Sequence, residues 1–439
     1  MSGIISAIDV TIAAMHKNPI AATLLTLAII ALVTVIIYNL PPIHERFAWR
    51  VELVTTYLRM SLNPVGAMPT PIPQEADPAT PTPKPSPTQG NTSTPVETKA
   101  GPTSTATASP TPIPDAYQLP VPQYEKQGPN ECGPTTLAIY LHYYGWTGTK
   151  DDITRVVKPT IDDRNVNVDE LVYFVGTHAG WLNAKFRVGG DLALLKNLIA
   201  GGFPVMIEES FYDDQSYWPG DDLWAAHYLL LTGYNDSTQA FTGQDSFRGP
   251  NKVVPYKTLD QYWHVFNRVY ILVYKPDQEE ALKSILGPQW NPDANRQHAL
   301  DVARAETQAN PKDAFAWFNL GSNLVYFEQY AEAGHVYDSA RQIGLPQRML
   351  RYQFGPFIAY FHAARYDDLL AVTEYILKNT PNSEEAHLWH GWGLYRKGNT
   401  AGAIADFQTA VKDHPGYQDA LYALNFLGAS PLPVPTSTP

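Results

Sequence analysis

Apolar positions along this chain change their spacing four times, and each change predicts a different kind of segment. Residues 20–38, IAATLLTLAIIALVTVIIY, are apolar almost throughout and carry no charge. As a helix such a run extends about 28 Å at about 1.5 Å per residue, close to the thickness of one bilayer core. No small-residue cleavage site follows it, so the expectation is an uncleaved transmembrane anchor over 19–40, after a short segment 1–18. The next stretch, ERFAWRVELVTTYLRM (45–60), mixes apolar and basic positions. It predicts an amphipathic helix within 41–63 at the membrane surface, with Arg46, Arg50 and Arg59 meeting headgroups.

The pattern then disappears. Over 64–117 the chain reads PTPIPQEADPATPTPKPSPTQG and continues in kind. Proline at this density excludes helix and sheet, and without large apolar residues no core can form. The expectation is a stiff, solvated, disordered spacer, at most roughly 170 Å long at about 3.1 Å per residue. The tail 429–439 repeats that composition.

Mixed periods return over 118–276. Helical spacing follows Cys132 through Leu137, Leu141 and Tyr144, and recurs in VDELVYFVGTHAG and DLALLKNLIAGG. The strand-like runs FPVMIEES, AHYLLLTGY, QAFTGQD and RVYILVYK come after these helices. Helices first and strands later, without regular alternation, predict an α+β domain rather than a doubly wound sheet.

From 280 to 428 the period is helical only, and it repeats. In 314–346, Trp317, Leu320, Gly321, Tyr330, Ala333, Tyr337 and Ala340 fall at the packing positions of a helix pair; in 387–415, Gly391, Leu394, Gly398, Ala403, Phe407, Ala410 and Pro415 do the same. This pattern resembles the tetratricopeptide repeat, which implies an all-α solenoid and a protein partner. A degenerate copy marked by Tyr366 and Pro381 lies between the two, a half-copy ending at Pro311 precedes them, and a closing helix runs from Tyr417 to Leu427.

Composition narrows the function classes. Of 439 residues 44% are hydrophobic, which excludes wholesale disorder, and the chain is too long for one core. The net charge of -12 comes without any basic run, so nucleic acid is not an expected partner. A single cysteine excludes a disulfide scaffold and a thiolate zinc site. No cofactor or metal is expected; the Asp residues of FYDDQSYWPGDDLW (211–224) fit no calcium-loop spacing. That stretch reads as a solvated loop or as a wall beside a cleft.

The one cysteine sits in KQGPNECGPTTLAIY, where Gly133 and Pro134 suit a helix start. There the positive end of the helix dipole favours a thiolate, which needs a cationic partner. His227 heads the apolar run HYLLLTGYND, and Asp245 ends the following run. A hairpin between the two would set a carboxylate beside the imidazole and hold its tautomer. Gln127, five residues before Cys132, and the Cys132 amide are placed to donate to an oxyanion. His142, His178 and His264 lack an acidic neighbour in sequence and read as packing or surface residues.

QGPNECGPTTLAIYLHYYG, HYLLLTGYND and FTGQDSF together resemble the family-39 cysteine peptidases, over 118–276. The resemblance implies a papain-like fold, Cys132 as nucleophile, His227 as base and acid, Asp245 as its orienter and Gln127 as oxyanion donor. Two positions depart from the family: Ala226 stands where many members have Gly, and Gln244-Asp245-Ser246 where they have Asn-Asp-Pro. The known members that cleave double-glycine leaders do so within an ABC exporter, whose six-helix domain and P-loop have no counterpart in this sequence, so that substrate is not carried over.

The expectation is therefore a membrane-anchored cysteine peptidase with a peptide or protein substrate and a partner on its repeats. Lys17 before the anchor and the arginines after it favour a cytoplasmic location for the peptidase domain and repeats. The Pro-Thr stretch resembles wall-spanning stalks of surface proteins and tips the balance to an extracytoplasmic one. Two other classes stay open: a surface interaction module whose papain-like domain binds without cleaving, and a thiol acyltransferase or cell-wall amidase.

Overall fold

The computed structural model describes residues 19–38, 40–73, 113–160 and 165–432. The segment 1–18, most of the Pro-Thr linker and the end of the tail lie outside them. The chain divides into two compact units, Met1–Val65 with Gln215–Asp221, and Gly66–Asp214 with Asp222–Pro439.

In the first unit, helix α1 runs Pro19–Tyr38 and α2 runs Pro41–Leu62. Proline in the first turn of α2 is tolerated because the amide there has no intrahelical partner. Among the described residues no helix is long and apolar enough to cross a membrane. The uncharged run is nonetheless helical over twenty residues, and its side chains from Leu24 to Ile37 are largely exposed.

The second unit contains a seven-stranded sheet. Its strands are β1 (Ala116–Gln118), β2 (Asn183–Arg187), β3 (Val205–Tyr212), β4 (Trp224–Asn235), β5 (Ala240–Asp245), β6 (Gly249–Pro255) and β7 (Tyr270–Tyr274). The order is β2-β7-β3-β4-β5-β6, every pairing is antiparallel, and β1 extends the sheet beside the end of β4. Strand alternation sorts the apolar residues to two faces. Met206, Leu230, Ile271 and Val273 join Leu137, Leu141, Ile153 and Phe174 on one side. Val205, Ile207, Leu229, Leu231 and Leu272 join Leu195, Leu198, Leu259 and Trp263 on the other. The first face is covered by α3 (Cys132–Tyr143), α4 (Lys150–Val157) and α5 (Val168–His178). The second is covered by α6 (Leu192–Ala200), α7 (Tyr256–His264) and α8 (Glu279–Leu286). Both faces bury apolar surface, which explains why β3 and β4 read as continuous apolar runs.

Beyond α8 the chain is helical: α9 (Pro292–Ala309), α10 (Ala314–Tyr326), α11 (Tyr330–Ile343), α12 (Met349–Tyr352), α13 (Gly355–His362), α14 (Tyr366–Asn379), α15 (Glu384–Arg396), α16 (Thr400–Asp413) and α17 (Gln418–Phe426). Close approach within pairs depends on small residues. A Cβ on Gly321 would lie 2.6 Å from the Tyr337 ring, and one on Gly391 would lie 2.6 Å from Phe407. The intervening pair has buried Ala359 and Tyr375 at the same two positions.

This helical region packs directly on the α+β domain. Asn165 and Asn167 donate to Glu385 Oε1 at 3.4 and 3.1 Å, and Asn319 donates to the His264 carbonyl at 2.8 Å. Gln347 N donates to Asp222 Oδ2 at 2.7 Å, and Arg348 Nη1 to the Trp224 carbonyl at 2.9 Å. The 211–224 stretch is thus not simply a solvated loop: Trp218 and Trp224 are buried, and Asp222 is held by the helical region.

Candidate active site

The site is assembled where α3 begins against β4. Glu131 occupies the N-cap position, but its carboxylate turns back to accept from Gly128 N (2.9 Å) and Lys150 Nζ (2.7 Å). Cys132 is the first helical residue and is partly exposed. Gly133 lets the helix end reach the strand, since a Cβ there would lie 3.3 Å from the Tyr228 ring. Thr136 Oγ1 adds a bond to the Tyr228 carbonyl at 3.1 Å.

His227 lies near the start of β4 and is buried. Its Nε2 faces Asp245 Oδ1 at 3.0 Å, which leaves Nδ1 for the Cys132 thiol. Asp245 closes β5, and its Oδ1 also accepts the amides of Phe247 (2.8 Å) and Arg248 (2.9 Å). The imidazole packs against Phe211 at 4.9 Å, and Phe211 in turn meets Phe247 edge-on and lies under the Arg248 guanidinium.

Gln127 is tied to the same corner. Its amide donates to the Ser246 carbonyl at 3.0 Å, and Ser246 Oγ donates to its Oε1 at 2.7 Å. With the carbonyl end of the side chain held, the NH₂ end is the one left to donate. Tyr124 OH spans the carbonyls of Asp245 and Ser246 at 3.2 and 3.1 Å. Ser246 therefore carries a hydroxyl that orients Gln127.

The electrostatics favour charge separation. Burial raises the Cys132 thiol, but its hydrogen bond to His227, the imidazole charge and backbone groups of Tyr228 and Gly133 outweigh burial and hold it below its ordinary range. For His227 burial acts downward, yet Asp245 and Cys132 leave it well raised. Asp245 ends below its usual range, because the bond to His227 outweighs its burial. Opposite shifts on neighbouring thiol and imidazole favour moving the thiol proton toward the ring.

Two glutamates that sequence reasoning missed lie beside this pair. Glu208 is buried opposite Tyr228, and burial first, then the Cys132 charge, raises it well above its ordinary value. Glu209 is buried opposite His227 in the β3–β4 register. Burial pushes it up to about 7, against the pull of His227. Their only sequence signal is two acids ending an apolar run, which also describes a strand tip reaching solvent. The histidines set aside in sequence do have acidic neighbours: His142 lies 3.5 Å from Glu125 and His264 lies 3.2 Å from Glu306. His178 stacks on Phe174. Among the described residues no group of His, Cys, Asp and Glu is arranged to hold a metal ion.

Residues 118–271 match the family described as Peptidase_C39 like family. This part of the chain is a C39-like peptidase domain with an α+β architecture. Solved structures similar to the chain include a provisionally named C39-like peptidase from Bacillus anthracis, at 17% identity and a TM-score of 0.29. The match covers 36% of this chain and 98% of that one. Another is a double glycine motif protease from an AMS/PCAT transporter in complex with the leader peptide, at 18% identity and a TM-score of 0.26, covering 36% and 94%. No curated protein matches the chain. The C39-like domain thus joins a thiol, an imidazole, a carboxylate and an amide donor at one corner, a set suited to acyl transfer from a carbonyl substrate.

Proposed function

We propose that this protein is a membrane-anchored cysteine peptidase that hydrolyses peptide bonds through Cys132, His227, Asp245 and Gln127. The observation that carries the reading is the position of His227 between Asp245 and Cys132, with thiol and imidazole shifted in opposite directions. The Cys132 thiolate attacks the scissile carbonyl carbon, and the new oxyanion is met by the Cys132 amide and the Gln127 NH₂ group. His227 then gives its proton to the leaving amine as the C–N bond breaks. It next takes a proton from water, whose oxygen adds to the thioester; collapse releases the carboxylic acid and restores the thiolate. Asp245 holds the ring throughout.

Residues 19–40 are the anchor in this reading, supported by the uncharged helix α1, and the Pro-Thr linker favours extracytoplasmic peptidase and helical regions. Residues 280–428 are read as tetratricopeptide repeats for a protein partner, supported by the matching Gly321–Tyr337 and Gly391–Phe407 contacts. Peptide substrates follow from the C39-like family; the leader peptide belongs to the transporter protease.

The test uses the full chain in detergent, where Cys132 is the sole thiol. An electrophilic thiol probe is expected to label wild type far faster than a free thiol, and His227→Ala is expected to abolish the difference. Labelling at the free-thiol rate, unchanged in His227→Ala, would overturn the proposal.

A further inference from the structure

The pentapeptide Pro-Thr-Pro-Ile-Pro occurs twice in the chain, at 69–73 and at 110–114, near the two ends of the Pro-Thr linker. The described parts of both copies are docked rather than free. In the first, the Pro69 carbonyl accepts from Arg341 Nη2 at 2.6 Å, and Ile72 N donates to Asp368 Oδ1 at 3.1 Å. In the second, Ile113 packs on the sheet's core and the Pro114 carbonyl accepts from Tyr234 OH at 2.7 Å.

The first contact is a built site. Arg341 on α11 and Asp368 on α14 have side chains 0% and 1% exposed, 3.1 Å apart. Arg341 Nη1 also donates to Tyr360 OH at 2.9 Å. Arg365 pairs with both Asp338 and Asp368, so the cluster balances two cations with two anions. To residues 69–72 the cluster offers a guanidinium N–H from Arg341 and a carboxylate oxygen from Asp368. Alternate prolines suit that arrangement. They hold the chain extended, and they remove every second backbone donor, leaving Ile72 N–H as the one bonded to the cluster. Pro69 and Pro71 are half-buried while Thr70 and Ile72 are exposed, so the prolines face the helices.

We propose that the helical region carries a peptide site that reads the extended backbone of Pro69–Ile72, and that this segment is its resident ligand. Pro69–Ile72 is thus held by the helical region, and Ile113 and Pro114 by the sheet. The site goes beyond the peptidase reading and does not use Cys132.

The experiment measures deuterium exchange at Ile72 in the full chain in detergent, with a synthetic peptide of sequence GAMPTPIPQ added in trans. Ile72 is expected to exchange at least tenfold more slowly than in the free peptide, and millimolar peptide is expected to remove that protection. A peptide with proline at the Ile72 position should leave it intact, having no N–H to offer, whereas SPTPIPD from the second copy should compete. Arg341→Met should speed exchange; if it fails to fold, the peptide competition decides alone. Exchange at the free-peptide rate in wild type would overturn docking. Protection indifferent to both peptides and to a folded Arg341→Met would overturn recognition. Thiol labelling of Cys132 in the same samples reports separately on the peptidase reading.

Discussion

The C39-like domain and the helical region both bury charge, but they leave it in opposite conditions. In the helical region Arg341, Arg365, Asp338 and Asp368 bond to one another and to Tyr360, so the cluster is charge-balanced, with Arg341 Nε buried without a hydrogen bond. Removing one member of such a cluster strands its partner, so its role is to lock α11, α13 and α14 together. At the corner of the sheet, Glu208, Glu209 and Asp245 surround one imidazole and one thiol. Three acids there face two basic groups, His227 and Arg248, and Glu209 Oε2 is buried without a hydrogen bond. A balanced cluster stabilises a packing arrangement, whereas an unbalanced one holds groups whose protonation can change. That difference marks where chemistry belongs in this protein.

The largest expected effect tests the reactive side. Replacing His227 with Ala should slow Cys132 labelling by about 1,000-fold or more, since the thiolate loses its cation. Labelling of wild type across pH should trace the pair itself. The lowered thiol puts the rise below the ordinary thiol range, and the raised imidazole puts the change at alkaline pH above the ordinary histidine range. A single transition at the free-thiol position would erase the contrast with the helical region.

Gln127→Ala should lower turnover of a cleaved peptide by about 100- to 1,000-fold while leaving thiol labelling close to wild type, because an oxyanion donor acts on the transition state. Equal loss in both measurements would show Gln127 to be structural. For Glu209 the sign comes from linkage. A carboxyl raised from 4.5 to about 7 makes the native state bind more protons across that window, so stability falls as pH rises through it. Glu209→Gln should flatten that decline and stabilise the protein at pH 8 by roughly 1–3 kcal/mol, read by denaturant unfolding at several pH values. A decline unchanged in the variant would assign it to other groups.

The smallest effect belongs to the helical side. Gly391→Val would push a side chain into Phe407 and should cost about 1–3 kcal/mol in thermal unfolding, with Cys132 labelling unchanged. Slower labelling in a folded variant would show that the two regions are coupled.

Much of the site was legible because each member has its own local signature. Cys132 follows Gly-Pro-Asn-Glu and opens a helix; His227 heads an apolar strand; Asp245 ends the next one across a short turn. Glu208 and Glu209 were not legible, since burial at the end of β3 depends on neighbours distant in sequence, among them Phe247 and Arg248 packed about Phe211. The edge strand β6 was hidden for a related reason. It is largely exposed, has prolines at positions 250 and 255, and lacks apolar alternation, so its strand form comes from pairing with β5. Helix pairing was visible in the spacing of Gly and aromatic residues, because that spacing is itself the packing rule. Which surface those helices cover was not.

By itself the sequence determined what short-range physics can write: an uncharged apolar helix, a proline-rich stretch, two-faced strands, and paired helices with glycine at the crossings. It also set the identity of the thiol, the imidazole, the carboxylate and the amide. Only the tertiary structure decided which charges are balanced and which are left poised, and that Pro69–Ile72 lies on Arg341 and Asp368. Those outcomes depend on burial and on partners from 18 to 296 residues away, where hydrogen bonds and desolvation act through space and leave no periodic trace along the chain.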